Sequence, residues 1–137
     1  MASQKYYRDF RAHLKELEDR EKLIPIRRRI DKDTELMPLV RWQFRGLEEE
    51  QRKAFLFEKV VDAKGKQYSM PVTVGTLAAT TEIYAIGLMC RPEEIHERWN
   101  KAQLSPIEPE KVAGGPVQEM VWTDKELLNG HGLDMLP

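Results

Sequence analysis

"AFLFEKVVDAKGKQYSMPVTVGTL", residues 54–77, is the stretch on which the fold turns. "AFLFEKVV" is a strand-like run and "MPVTVGTL" is a second one. "DAKGK" between them is a turn with Gly65 near its centre. Val60, Val61, Val72 and Val74 are β-branched, which suits a pleated and partly buried surface.

Helical periodicity lies on both sides of this strand pair. Upstream, in "YYRDFRAHLKELEDREKL", Tyr7, Phe10, Leu14 and Leu17 step by three, four and three along one stripe, opposite a charged face. Leu23-Ile24-Pro25-Ile26 follows, and its proline suits an edge strand better than a central one. "DKDTELMPLVRWQFRG" predicts a second helix, with Asp33 or Thr34 as its cap, Glu35 in its first turn and Gly46 as the C′ residue. Leu36, Leu39, Val40 and Phe44 make its buried face, and Pro38 either starts the helix or bends it.

Downstream, "ATTEIYAIGLMC" predicts a short apolar helix capped by Thr80 or Thr81. In "RPEEIHERWNKAQ", Pro92 fits a first helical position, and Ile95, Trp99 and Ala102 share a face. "LSPIEPEKVAGGP" holds three prolines and two glycines in thirteen residues and reads as a connector. "PVQEMVW" then reads as a last strand. The expected architecture is a single compact α/β domain, a small sheet flanked by helices, over 1–122, with a turn-rich tail over 123–137.

The totals agree with one domain. A chain of 137 residues can bury roughly two-thirds of the surface it exposes when unfolded. Hydrophobic residues at 41% and charged residues at 33% give a globular balance, and a net charge of −1 supplies no bulk field to draw nucleic acid or an anionic membrane. No apolar run approaches the ~18 residues needed to span a bilayer, and the charged first thirty residues lack the apolar core of a signal peptide. One cysteine, Cys90, excludes an internal disulfide and a cysteine-rich metal site. Cytoplasmic residence is the expectation.

No catalytic constellation emerges from the residues. Arg27-Arg28-Arg29 is the most basic cluster, but Asp31, Asp33 and Glu35 follow at once and make a solvated face the better account. His13, His96 and His131 belong to no tight metal-ligand spacing. Cys90, at the end of an apolar helix, reads as a buried and inert thiol. "VAGGPV" and "DAKGKQ" lack the pattern of a nucleotide loop. Glu48-Glu49-Glu50 runs straight into Gln51, Arg52 and Lys53, as a solvated loop would. "RWQFR" could stack on nucleobases, but a helix with one face in the core is preferred for Trp42, and the same weighing applies to Trp99 and Trp122.

Four strings in order resemble the N-terminal region of the UbiD-like decarboxylases. "DFRAHLKELEDREKLIPIRRRID" is similar to the family's opening helix, short strand and charged turn. "AFLFEKVVDAKGKQYSMPVTVG" resembles its strand pair, and "TTEIYAIGL" resembles the helix after it. "GGPVQEMVWTDKELLNGHGLDMLP" is similar to the stretch leading into the next domain. The likeness covers residues 8–137. It implies an enzyme that adds or removes carboxylate on aromatic, heteroaromatic or α,β-unsaturated acids, using prenylated FMN as an electron sink with manganese and often potassium.

The family's flavin- and metal-binding residues and its Glu–Arg–Glu catalytic set lie in the domain after this region. No segment here matches them, so no catalytic, cofactor-binding or metal-binding residue is assigned, and Arg91, Glu93, Glu94 and Glu97 are not given that role. The resemblance implies that cofactor and metal belong to the parent enzyme and not to this chain alone. It also implies two partners, the flavin-binding domain of the same enzyme and further copies of that enzyme, with no nucleic acid or membrane partner. The ending "NGHGLDMLP" is then expected to be the crossing into the flavin domain. A free-standing interaction subunit with the same fold is the alternative.

Overall fold

The structure, a computed structural model, describes residues 6–129, 132, 136 and 137. It opens with helix α1 (Phe10–Asp19), strand β1 (Leu23–Asp31) and helix α2 (Met37–Gly46). Strands β2 (Ala54–Val61) and β3 (Val72–Val74) follow, then helices α3 (Thr81–Gly87), α4 (Ile95–Leu104) and α5 (Lys125–Leu128). The sheet order is β1-β2-β3, with β1 parallel and β3 antiparallel to the central β2. This is the α/β arrangement expected, with α2 serving as the crossover that a parallel pair requires.

Alternation along β2 divides the core in two. Ala54 and Leu56 pack with Leu17 of α1 and Ile83 and Ile86 of α3. Phe55 and Phe57 cluster instead with Leu36, Leu39, Val40 and Ile30. Phe57, Leu17, Ile30, Ile83 and Val60 are fully buried, each such side chain worth about 1.5–3 kcal/mol relative to exposure.

Between β1 and β2 the register slips. Ile26 pairs with Phe57 and Ile30 with Val60, so β1 spends one more residue than β2 over the same span. That bulge lets Ile30 and Val60 fall in the same cluster as Phe57.

Several expectations are corrected. The first strand does not stop at Ile26 but continues through Arg27, Arg28 and Arg29 to Asp31. Pro25 does sit in an edge strand, where its missing N–H costs no ladder bond. The cap before α2 is Asp31, not Asp33 or Thr34: its Oδ1 accepts from both of their N–H groups. A π-helical turn over Lys32–Leu36 separates it from α2, and Pro38 stands at the start of that helix. Gly46 ends α2 inside the helix, and the cap is the extended Leu47.

Tyr7 lies outside α1, its hydroxyl donating to the Ile86 carbonyl at 2.9 Å, and Phe10 is largely exposed. The residue α1 buries besides Leu17 is His13. Trp42 is not a core residue; it is 61% exposed and lies across Gly46, while the neighbouring Gln43 is buried. Cys90 lies beyond α3 and is half-buried.

"PVQEMVW" is not a strand. Pro116–Gln118 forms a single 3-10 turn, and Val117, Met120 and Val121 are exposed. An isolated extended run has no ladder to satisfy its backbone, and no described strand lies beside it. From Leu104 to Asn129 no residue is buried, although Leu104, Ile107, Val112, Val117 and Leu128 are large and apolar. His131 and most of the expected crossing, including Leu133 and Met135, lie outside the described residues.

Candidate functional site

A well-lined cleft lies where the end of α2, the segment before β2, and helices α3 and α4 meet. Its volume is about 650 Å³, and its lining includes Phe44, Glu49, Arg52, Thr81, Tyr84 and His96. The local sequence explains why these groups converge. Thr80 caps α3 by accepting from the Ile83 N–H at 3.0 Å, which fixes the first turn of that helix. Arg91 and Glu94 clasp the turn before α4: Glu94 accepts from the Arg91 N–H at 2.9 Å and from its guanidinium at 2.8 Å.

Glu49 ties the two sides together. Its Oε1 accepts from the Thr81 hydroxyl and from the Thr81 N–H, both at 2.6 Å, across 32 residues of sequence. The Thr81 hydroxyl first, and its N–H second, hold the Glu49 carboxyl below the usual carboxylate range, with the nearby Arg52 acting in the same direction. The expected solvated loop at Glu48–Glu50 is therefore an exposed turn with one structural carboxylate. Sequence offered no signal for it, because the partner lies far along the chain.

Arg52 is held at its root. Its Nε donates to the Leu47 carbonyl at 3.0 Å, and the guanidinium lies 5.8 Å from the centre of the Phe44 ring. On the far wall the Trp99 indole N–H donates to the Tyr84 hydroxyl at 2.5 Å. Both threonine hydroxyls are already committed, Thr80 to Ile83 and Thr81 to Glu49, so neither stands as a poised nucleophile. The cleft presents a cation, an anion and an imidazole above apolar walls, an arrangement suited to binding.

The other candidates are dispersed. Arg28 pairs with Glu35 at 2.8 Å, one of the flanking acids, whereas Arg27 pairs with Glu58 of β2 at 3.6 Å, a partner the flanking sequence does not supply. His13 is 4% exposed, its Nε2 lies 2.7 Å from the Thr76 carbonyl, and its Nδ1 has no partner. Only an Nε2–H tautomer satisfies that carbonyl. Burial pushes the Cys90 thiol up, away from the thiolate form that would make it reactive.

Among the described residues no three His, Cys, Asp or Glu side chains converge to hold a metal ion. These residues do not fit the manganese that the family resemblance implies, and no chemical step is assigned to it on this chain. No described helix is long and apolar enough to cross a membrane. Comparison with protein-family models, with curated proteins and with solved structures gives no match.

Proposed function

We propose that this chain is the non-catalytic N-terminal part, or a separate subunit, of a cytoplasmic UbiD-like reversible decarboxylase acting on aromatic or α,β-unsaturated carboxylic acids. In this reading prenylated FMN, manganese and potassium are held by a flavin-binding domain, and the present chain packs against it. The observation that carries the packing role is the uncovered apolar surface between Leu104 and Leu128. Ile107 is 83% exposed and Val117 is 90% exposed. These apolar side chains lie outside the two core clusters of the described residues, which supports a role in meeting a partner. The four ordered sequence resemblances supply the identity of that partner.

The same surface serves the alternative, a free-standing interaction subunit without catalytic activity. The mass of the native gene product separates the two: several hundred further residues support the first, and a product near 16.0 kDa supports the second. The division of labour is tested with residues 1–137 purified in the presence of prenylated FMN and manganese. The expected result is protein without flavin after gel filtration. Stoichiometric flavin retention, or turnover by the chain alone, overturns the proposal.

A further inference from the structure

The charges facing the cleft are fixed but not spent. Arg52 is anchored through Nε to Leu47, and its terminal nitrogens have no protein partner among the described residues. Glu49 engages Thr81 through Oε1, leaving Oε2 available. The two side chains influence each other electrostatically, yet they form no ion pair. Apolar surface from Phe44, Ala78 and Ile95 lies beside them, and a volume of about 650 Å³ falls within the range of about 300–1,000 Å³ typical of small-molecule sites.

A ligand carrying one charge would satisfy one of these groups and leave the other facing it unanswered. A ligand carrying both would engage the guanidinium fork with a carboxylate and the Glu49 oxygen with an ammonium. We propose that the cleft binds a free α-amino acid with an apolar side chain, its carboxylate on Arg52, its ammonium on Glu49 and its side chain against Phe44, Ala78 and Ile95. Discrimination comes from engaging both charges at once, since each single-charge ligand forfeits one charge-assisted hydrogen bond. This site is independent of the decarboxylase reading.

The test is a calorimetric or ligand-observed NMR titration of the chain with L-phenylalanine, phenylpropionate and phenethylamine. The second lacks the ammonium and the third lacks the carboxylate. Phenylalanine is expected to bind in a saturable manner, and each analogue to bind about tenfold or more weakly. Arg52→Gln is expected to weaken phenylalanine and phenylpropionate while sparing phenethylamine. Because Glu49→Gln also disturbs the contact to Thr81, Ala78→Trp is the cleaner second variant. Ala78 is exposed and makes no side-chain hydrogen bond, so filling the cleft from that position is expected to abolish binding with an unchanged melting temperature. Absence of saturable phenylalanine binding, equal affinity for phenylpropionate, or binding that survives Ala78→Trp each overturns the proposal.

Discussion

Gln43 and Lys53 exchange two hydrogen bonds: the Gln43 amide donates to the Lys53 carbonyl at 2.7 Å, and its oxygen accepts from the Lys53 N–H at 3.0 Å. A buried side chain of α2 thereby imitates a neighbouring strand and fixes the backbone at the entrance to β2. Gln43→Leu keeps the volume but strands a backbone donor and acceptor, and is expected to cost about 2 kcal/mol. Urea unfolding should show a lower midpoint with an unchanged slope.

His13 fills the space between α1 and the segment after β3, with Tyr7 edge-on at 5.2 Å. His13→Ala removes both the ring and the bond to Thr76, for an expected loss of about 3 kcal/mol. Nitrogen NMR of the wild-type imidazole should show a proton on Nε2, the atom that meets the Thr76 carbonyl. An Nε2 without a proton would contradict the contact to the carbonyl.

Gly75 has φ of +75°, and a Cβ there would lie 3.0 Å from the Ala79 methyl. The position is strained for any other residue, and crowded besides. Gly75→Ala is expected to destabilise by about 1–3 kcal/mol, read as a lowered thermal midpoint.

Acid should weaken the fold in a way that can be traced to named carboxylates. Thr81 holds the Glu49 carboxyl low, the Asp31 N–H does so first for Glu35, and the Arg91 guanidinium does so first for Glu94. Each is more acidic folded than unfolded. Its contribution is therefore fully present above the unfolded value of about 4.3, and is lost as pH falls through the lower folded value. Glu49→Gln is expected to flatten the decline of melting temperature in that acidic window, with Glu35→Gln and Glu94→Gln acting in the same direction.

The parts of this fold that depend on neighbours in sequence could be read from the residues. The strand-like run Ala54–Val61 with its β-branched valines, the glycine turn, and a threonine cap, at Thr80 or Thr81, ahead of the apolar helix all act within a few positions. Pro25 announced an edge. What escaped were features decided by distant partners. The arginines looked like a turn because their charge outweighed their extended backbone, and only pairing with β2 makes them a strand. Trp42 was expected in the core, but the buried place goes to the neighbouring Gln43, whose amide is answered by the Lys53 backbone. "PVQEMVW" has strand composition without a described neighbour to pair with. The cleft was invisible for the same reason, since Glu49 and Thr81 meet only through the fold.

The border of the sheet formed by β1 also limits how copies of this protein can stack. A second extended chain laid along that rim would meet a proline with no N–H to offer and the long exposed side chains of Arg27 to Arg29, two of them held by Glu58 and Glu35. Strand addition is thus discouraged at the longer of the two edges of this sheet, the shorter being the three-residue β3.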